Sequence, residues 1–169
     1  MRRKLTDNRG LTLVESLCTV VILILLGLIL NTGLNLAVKS YHDITADSET
    51  QLLLSTALSA LSDELRYARS VQVDGGSRLK SYNSVNYGDS IAITYDSGQI
   101  LAGGMRLLPA GAYRNGLYEV EQLDITYAVP CFTLYLKVAE AEGTISAEAT
   151  ITVRCLDGET ASSPGEEEP

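Results

Sequence analysis

The 169-residue chain holds one histidine, three cysteines and four prolines, and each shortage removes a class of chemistry. A lone His42, with no nucleophile arranged around it, excludes a histidine-based hydrolytic triad and reads better as a solvated side chain on a helix. Cys18, Cys131 and Cys155 lack the paired spacing of a zinc site, and no glycine-rich phosphate loop occurs. No enzyme is expected, and neither is a metal or cofactor. Proline is missing before Pro109, so nothing upstream is obliged to break a helix. Positive charge is scarce too: 13 Lys and Arg face 21 Asp and Glu, a net of −8. Such a field does not draw the chain to nucleic acid or anionic lipid.

What is present is unevenly placed. The first ten residues carry Arg2, Arg3, Lys4 and Arg9 against Asp7, a local balance of +3, so a cut after Gly10 leaves −11. Residues 16–38 then run 23 positions without a charge, enough for a helix to cross a hydrocarbon core of about 30 Å. The positive-inside rule puts the basic start in the cytoplasm and everything after Lys39 outside. An acidic exported domain follows, with Cys131 and Cys155 facing an oxidising space and Cys18 packing in the apolar helix.

Glu15 stands at the front of that apolar run, where an unpartnered carboxylate costs several kcal/mol. A secretory signal peptide does not explain it, and the nearest cleavage candidate, Asn35-Leu36-Ala37, fits such a site poorly. A plain signal anchor accounts for length and orientation but offers Glu15 nothing beyond reaching back to the interface.

The stretch Arg9-Gly10 followed by Leu11-Thr12-Leu13-Val14-Glu15 resembles the class III leader of type IV pilins and type II secretion pseudopilins. The resemblance joins a short basic leader, a glycine at the cut, a glutamate fifth in the mature chain and an apolar helix. It covers residues 9–40, with Leu11 where the family usually has phenylalanine. It implies that a prepilin peptidase/methyltransferase cuts between Gly10 and Leu11 and methylates Leu11. Its further implied partners are other pilin subunits, met through the N-terminal helices, and indirectly an assembly platform and ATPase. Nucleic acid is not among them.

The organisation expected is a cleaved leader over residues 1–10, a transmembrane and filament-core helix over 11–38, an exported globular domain over 39–156 and a disordered acidic tail over 157–169. The chain would be a single-pass membrane protein with a cytoplasmic N-terminus before assembly, and part of a surface or periplasmic filament afterwards. A carboxylate and an amine that are each costly alone become one pair if Glu15 of one subunit meets the Leu11 amine of its neighbour. The implied function is a structural subunit, a minor pilin or pseudopilin, of a type IV pilus, competence pseudopilus or type II secretion filament. The alternative is an uncleaved bitopic protein displaying a binding domain.

Beyond Lys39 the helical pattern becomes one-sided. Leu54, Leu58, Leu61, Leu65 and Ala68 form a stripe at spacings of three and four, while Asp47, Glu49, Asp63, Glu64, Arg66 and Arg69 stay polar. This predicts an amphipathic helix to about residue 70 that lays its stripe on a sheet. Gly27 and Gly33 allow either close helix packing or local melting. After Asp74-Gly75-Gly76 the period shifts to alternation, predicting strands over 90–96, 99–102, 106–108, 117–129, 132–139 and 144–155. One long helix followed by short strands makes an α+β fold with a mainly antiparallel sheet, which is also the pilin layout.

The last hairpin bears on a possible disulfide. Cys131 and Cys155 lie equally far from Gly143, which invites a cross-strand bridge. Phe132, Leu134, Leu136 and Val138 are even-numbered whereas Ala147, Ala149, Ile151 and Val153 are odd, and matching them puts the cysteines on opposite faces unless Pro130 or a bulge intervenes. Asp157 and Glu159 are too few oxygens for a calcium site. Arg66, Arg69, Arg78 and Lys80 read as a solvated helix end rather than a DNA-contact patch.

Overall fold

The computed structural model describes residues 13–156. The leader 1–10 with Gly10, the residue Leu11 and the tail 157–169 lie outside the described residues. The chain divides into two compact units with their boundary between Asp43 and Ile44, and each is taken by itself.

The first unit is the opening part of α1 (Leu13–Arg66). Its residues from Leu13 to Asp43 are all exposed, although most are Leu, Ile or Val. The hydroxyl of Thr19 donates to the Glu15 carbonyl at 2.7 Å, and that of Thr32 donates to the Leu28 and Ile29 carbonyls at 3.1 and 3.0 Å. These local bonds satisfy polar groups without any help from outside the helix.

In the second unit α1 turns amphipathic. Ala46, Thr50, Leu53, Leu54, Ala57, Leu58, Leu61 and Leu65 are buried, which places the expected stripe in a single core with Tyr82, Ile100, Phe132, Leu134, Leu136 and Val138. Each fully buried Leu or Phe contributes roughly 2–3 kcal/mol of transfer free energy. The helix stops at Arg66 rather than near residue 70, because Ser70 adopts a left-handed φ of 49° and Arg69 already begins β1 (Arg69–Val73).

All strand pairing among the described residues is antiparallel, in three three-stranded meanders. The first joins β1 to β2 (Leu79–Ser84) and β3 (Gly88–Ile91). The second joins β4 (Ile93–Asp96), β5 (Gln99–Ala102) and β6 (Met105–Arg106). The third joins β7 (Tyr118–Ala128), β8 (Cys131–Glu140) and β9 (Ser146–Arg154). The predicted strand over 90–96 is broken between Ile91 and Ile93, where the Ala92 carbonyl instead accepts from the Gly103 N–H at 3.1 Å. The strand predicted over 106–108 is only Met105–Arg106, since Leu108 is buried as the chain enters a short 3₁₀ helix, Ala110–Gly116.

Two main-chain bonds tie the meanders together: Val120 N–H to the Gly98 carbonyl and Tyr127 N–H to the Ser77 carbonyl, both 2.8 Å. Gly98 closes the β4–β5 turn with a φ of 72°, and a Cβ there would lie 2.5 Å from the Cβ of Glu119. Only glycine allows this turn to dock so closely on β7.

The β8–β9 register pairs Phe132 with Val153, Leu134 with Ile151, Leu136 with Ala149 and Val138 with Ala147, as the apolar alternation requires. It also pairs Cys131 with Arg154. Cys131 is half-buried on the outer face, while Cys155 is buried with its Sγ 3.1 Å from the Ala68 carbonyl. Neither cysteine is in a disulfide in this structure: the register pairs Cys131 with Arg154, and the bridge that their equal distance from Gly143 invites is not formed.

Candidate functional site

Of the residues that the sequence singles out near the start of the chain, Gly10 and Leu11 fall outside the described residues. Glu15 lies in the first turn of α1, where a carboxylate faces the positive end of the helix dipole. Behind it Leu17 is 63 % exposed and Ile29 67 %, so apolar side chains stand outward on every side of the helix. Over an 18-residue window this helix reaches a mean hydropathy of 2.8 with none of the window buried. A helix that is apolar all round has to be covered by lipid or by other helices, since water pays it nothing for the exposed area.

At the far end of the apolar run His42 lies 3.9 Å from Asp43, both well exposed. The basic residues expected at the helix end are drawn apart: Arg66 closes α1 and its carbonyl accepts from Leu156 N–H at 2.9 Å, whereas Arg78 forms an ion pair with Asp124 at 2.6 Å. Cys18 is exposed on the helix surface rather than packed within the chain. Among the described residues no three His, Cys, Asp or Glu side chains come together in a way that could hold a metal ion.

One constellation was not read from the sequence. Glu64, expected on the solvent face, is buried at 6 % exposure and accepts hydrogen bonds from the Tyr82 hydroxyl at 3.2 Å, the Ser84 hydroxyl, and Asn86 Nδ2 at 3.0 Å. Burial first, then the neighbouring Glu64 charge, push the Tyr82 phenol above the ordinary tyrosine range. The signal was available in part: Glu64 follows Leu53, Ala57 and Leu61 at helical spacing and therefore falls on the flank of the buried stripe. Its partners, 18 to 22 residues further on, carried no such signal.

A second tie holds α1 to the 3₁₀ segment, the ion pair of Arg114 with Glu49. It anchors the 3₁₀ segment, in which Arg114 and Asn115 both take left-handed φ values of 46° and 57°. Nearby, the buried Tyr113 hydroxyl accepts from Ile100 N–H at 3.0 Å, and burial raises its pKa despite that bond.

No family model, curated protein or solved structure matches the chain. What stands established is an α+β arrangement, a long N-terminal helix followed by antiparallel sheets, whose first part is long and apolar enough to cross a membrane.

Proposed function

We propose that the chain is a structural subunit of a type IV pilus-like filament, a minor pilin or pseudopilin, assembled from the membrane after leader processing. The reading is supported above all by one contrast: α1 is mainly apolar from Ser16 to Val38 and exposed on every side up to Asp43, yet amphipathic and packed from Ala46 onward. The motif Arg9-Gly10-Leu11 with Glu15 adds chemistry to that contrast. Prepilin peptidase would free and methylate the Leu11 amine, and Glu15 would pair with that amine on a neighbouring subunit to set the register. Residues 13–38 would form the filament core, and the antiparallel sheets would face outward. Head-to-tail contacts that do not close into a ring extend such a fibre.

The test is intact mass with N-terminal fragmentation of the protein from its native membrane, with and without prepilin peptidase. A chain beginning at methylated Leu11 only when the peptidase is present is expected. An intact leader in peptidase-positive cells would leave a bitopic anchor for a binding domain. With cleavage established, Glu15→Gln is expected to stop incorporation into filaments while leaving membrane insertion intact; unchanged incorporation would remove Glu15 from the mechanism.

A further inference from the structure

A groove of about 530 Å³ opens in the second unit between the end of α1 and the β2–β3 connection. Tyr67, Val85, Tyr87 and Leu107 form its apolar and aromatic walls, and its acidic side is Asp63 with the buried Glu64. Tyr67 is 52 % and Val85 72 % exposed, so these walls stand open to solvent.

The electrostatics are one-sided. A carboxylate offers about four lone-pair positions. Oε1 of Glu64 takes two donors, Tyr82 and Ser84, and Oε2 takes one, Asn86, which leaves a position on Oε2. All three donors are neutral, and among the described residues neither Glu64 nor Asp63 has an ion-pair partner. Buried carboxylates are ordinarily paired, because a charge removed from water is costly to leave to neutral donors alone. The lining contains no Lys, Arg or His to supply that charge from within.

We propose that this groove binds an arginine side chain of a partner polypeptide, its guanidinium meeting Glu64 and Asp63 and its plane lying against Tyr67 or Tyr87. Arginine matches the site better than lysine on three counts. Its fork can reach two carboxylates at once, it stacks on aromatic faces, and it gives up water more readily than an ammonium. Val85 and Leu107 take the aliphatic stem and the apolar neighbours of the arginine. The inference stands on the groove alone and does not depend on the filament reading.

The experiment uses the full chain in uncharged detergent micelles and fluorescence anisotropy of a labelled peptide, Gly-Leu-Arg-Leu-Gly, beside the same peptide with citrulline for arginine. Citrulline keeps the shape and loses the charge. Saturable binding of the arginine peptide is expected, with the citrulline peptide about tenfold weaker or worse, and a similar loss with Asp63→Asn or Glu64→Gln. Asp63 is exposed and its side chain makes no hydrogen bond or ion pair among the described residues, so Asp63→Asn keeps the test decisive should Glu64→Gln disturb packing. No saturable binding, equal binding of both peptides, or binding indifferent to both substitutions would overturn the proposal. Self-association of the chain that excludes the peptide and is lost in Asp63→Asn would also overturn it, by giving the groove to a second copy.

Discussion

One helix passes through two environments. Up to Asp43, α1 shows Leu, Ile and Val on every side and buries none of them; from Ala46 onward the same helix buries a stripe to near completion, with Leu61 and Leu65 at 0 % exposure. The first region is held by its own backbone bonds and stands exposed among the described residues. The second is held by tertiary packing, as most protein helices are. Apolar content alone therefore does not say where a helix belongs; its distribution around the axis does.

The sharpest way to break this comparison is a matched pair of truncations. Leu61→Ala is expected to cost about 2–5 kcal/mol in denaturation of the second unit, because it leaves a cavity in the shared core. Leu25→Ala, at 54 % exposure, is expected to leave that transition within about 0.5 kcal/mol. Equal losses would mean that the first region is also part of the folded core.

Next in size is Gly98→Ala. The left-handed φ of 72° and the approach to Glu119 both resist a Cβ, so a loss of about 1–3 kcal/mol is expected. Gly27→Ala, on the exposed helix with nothing within 4 Å, is the contrasting control and is expected to be neutral or to favour helix. Chemical denaturation of both variants decides it.

Alkaline pH probes the second unit through its tyrosines. Burial and the Glu64 charge raise the pKa of Tyr82 from its ordinary 10.0. A folded-state pKa above the unfolded one contributes stability that is whole below pH 10 and is lost as pH rises past it, since the unfolded chain releases the proton first. At one pH unit above that value the loss from such a tyrosine is on the order of 1 kcal/mol. Absorbance of phenolate against pH, followed together with unfolding, should show buried tyrosines ionising only as the fold opens. Ionisation of Tyr82, Tyr113, Tyr118 and Tyr127 in the intact fold would contradict their burial.

The smallest effect is expected from Arg114→Ala. Its ion pair with Glu49 is more than half solvated on the arginine side, and such pairs contribute at most about 1 kcal/mol. Faster amide exchange confined to the 3₁₀ segment, with little change in global stability, is the result to look for.

Much of this architecture was legible in advance. The uncharged run, the stripe from Leu54 to Ala68 and the strands β5, β7, β8 and β9 follow from periodicity, because long regular elements repeat their signal many times. The β1–β3 meander carried little of that signal. Its strands are short, mostly exposed and interrupted by register shifts, so alternation never repeats often enough to be read. The 3₁₀ segment was hidden for a similar reason: Asn115-Gly116 reads as a hairpin turn, whereas the chain around it winds into a short 3₁₀ segment with Tyr113 buried.

The residues themselves determined that an apolar helix precedes an acidic α+β domain, and which faces of β8 and β9 must meet. Hydrophobic period and charge distribution are local properties of the chain, and they survive without knowledge of partners. The tertiary structure alone decided that Glu64 is buried and that Gly98 must be glycine. Each of these depends on what lies across a fold of many residues, where burial and hydrogen-bond partners are set by geometry that no local pattern encodes.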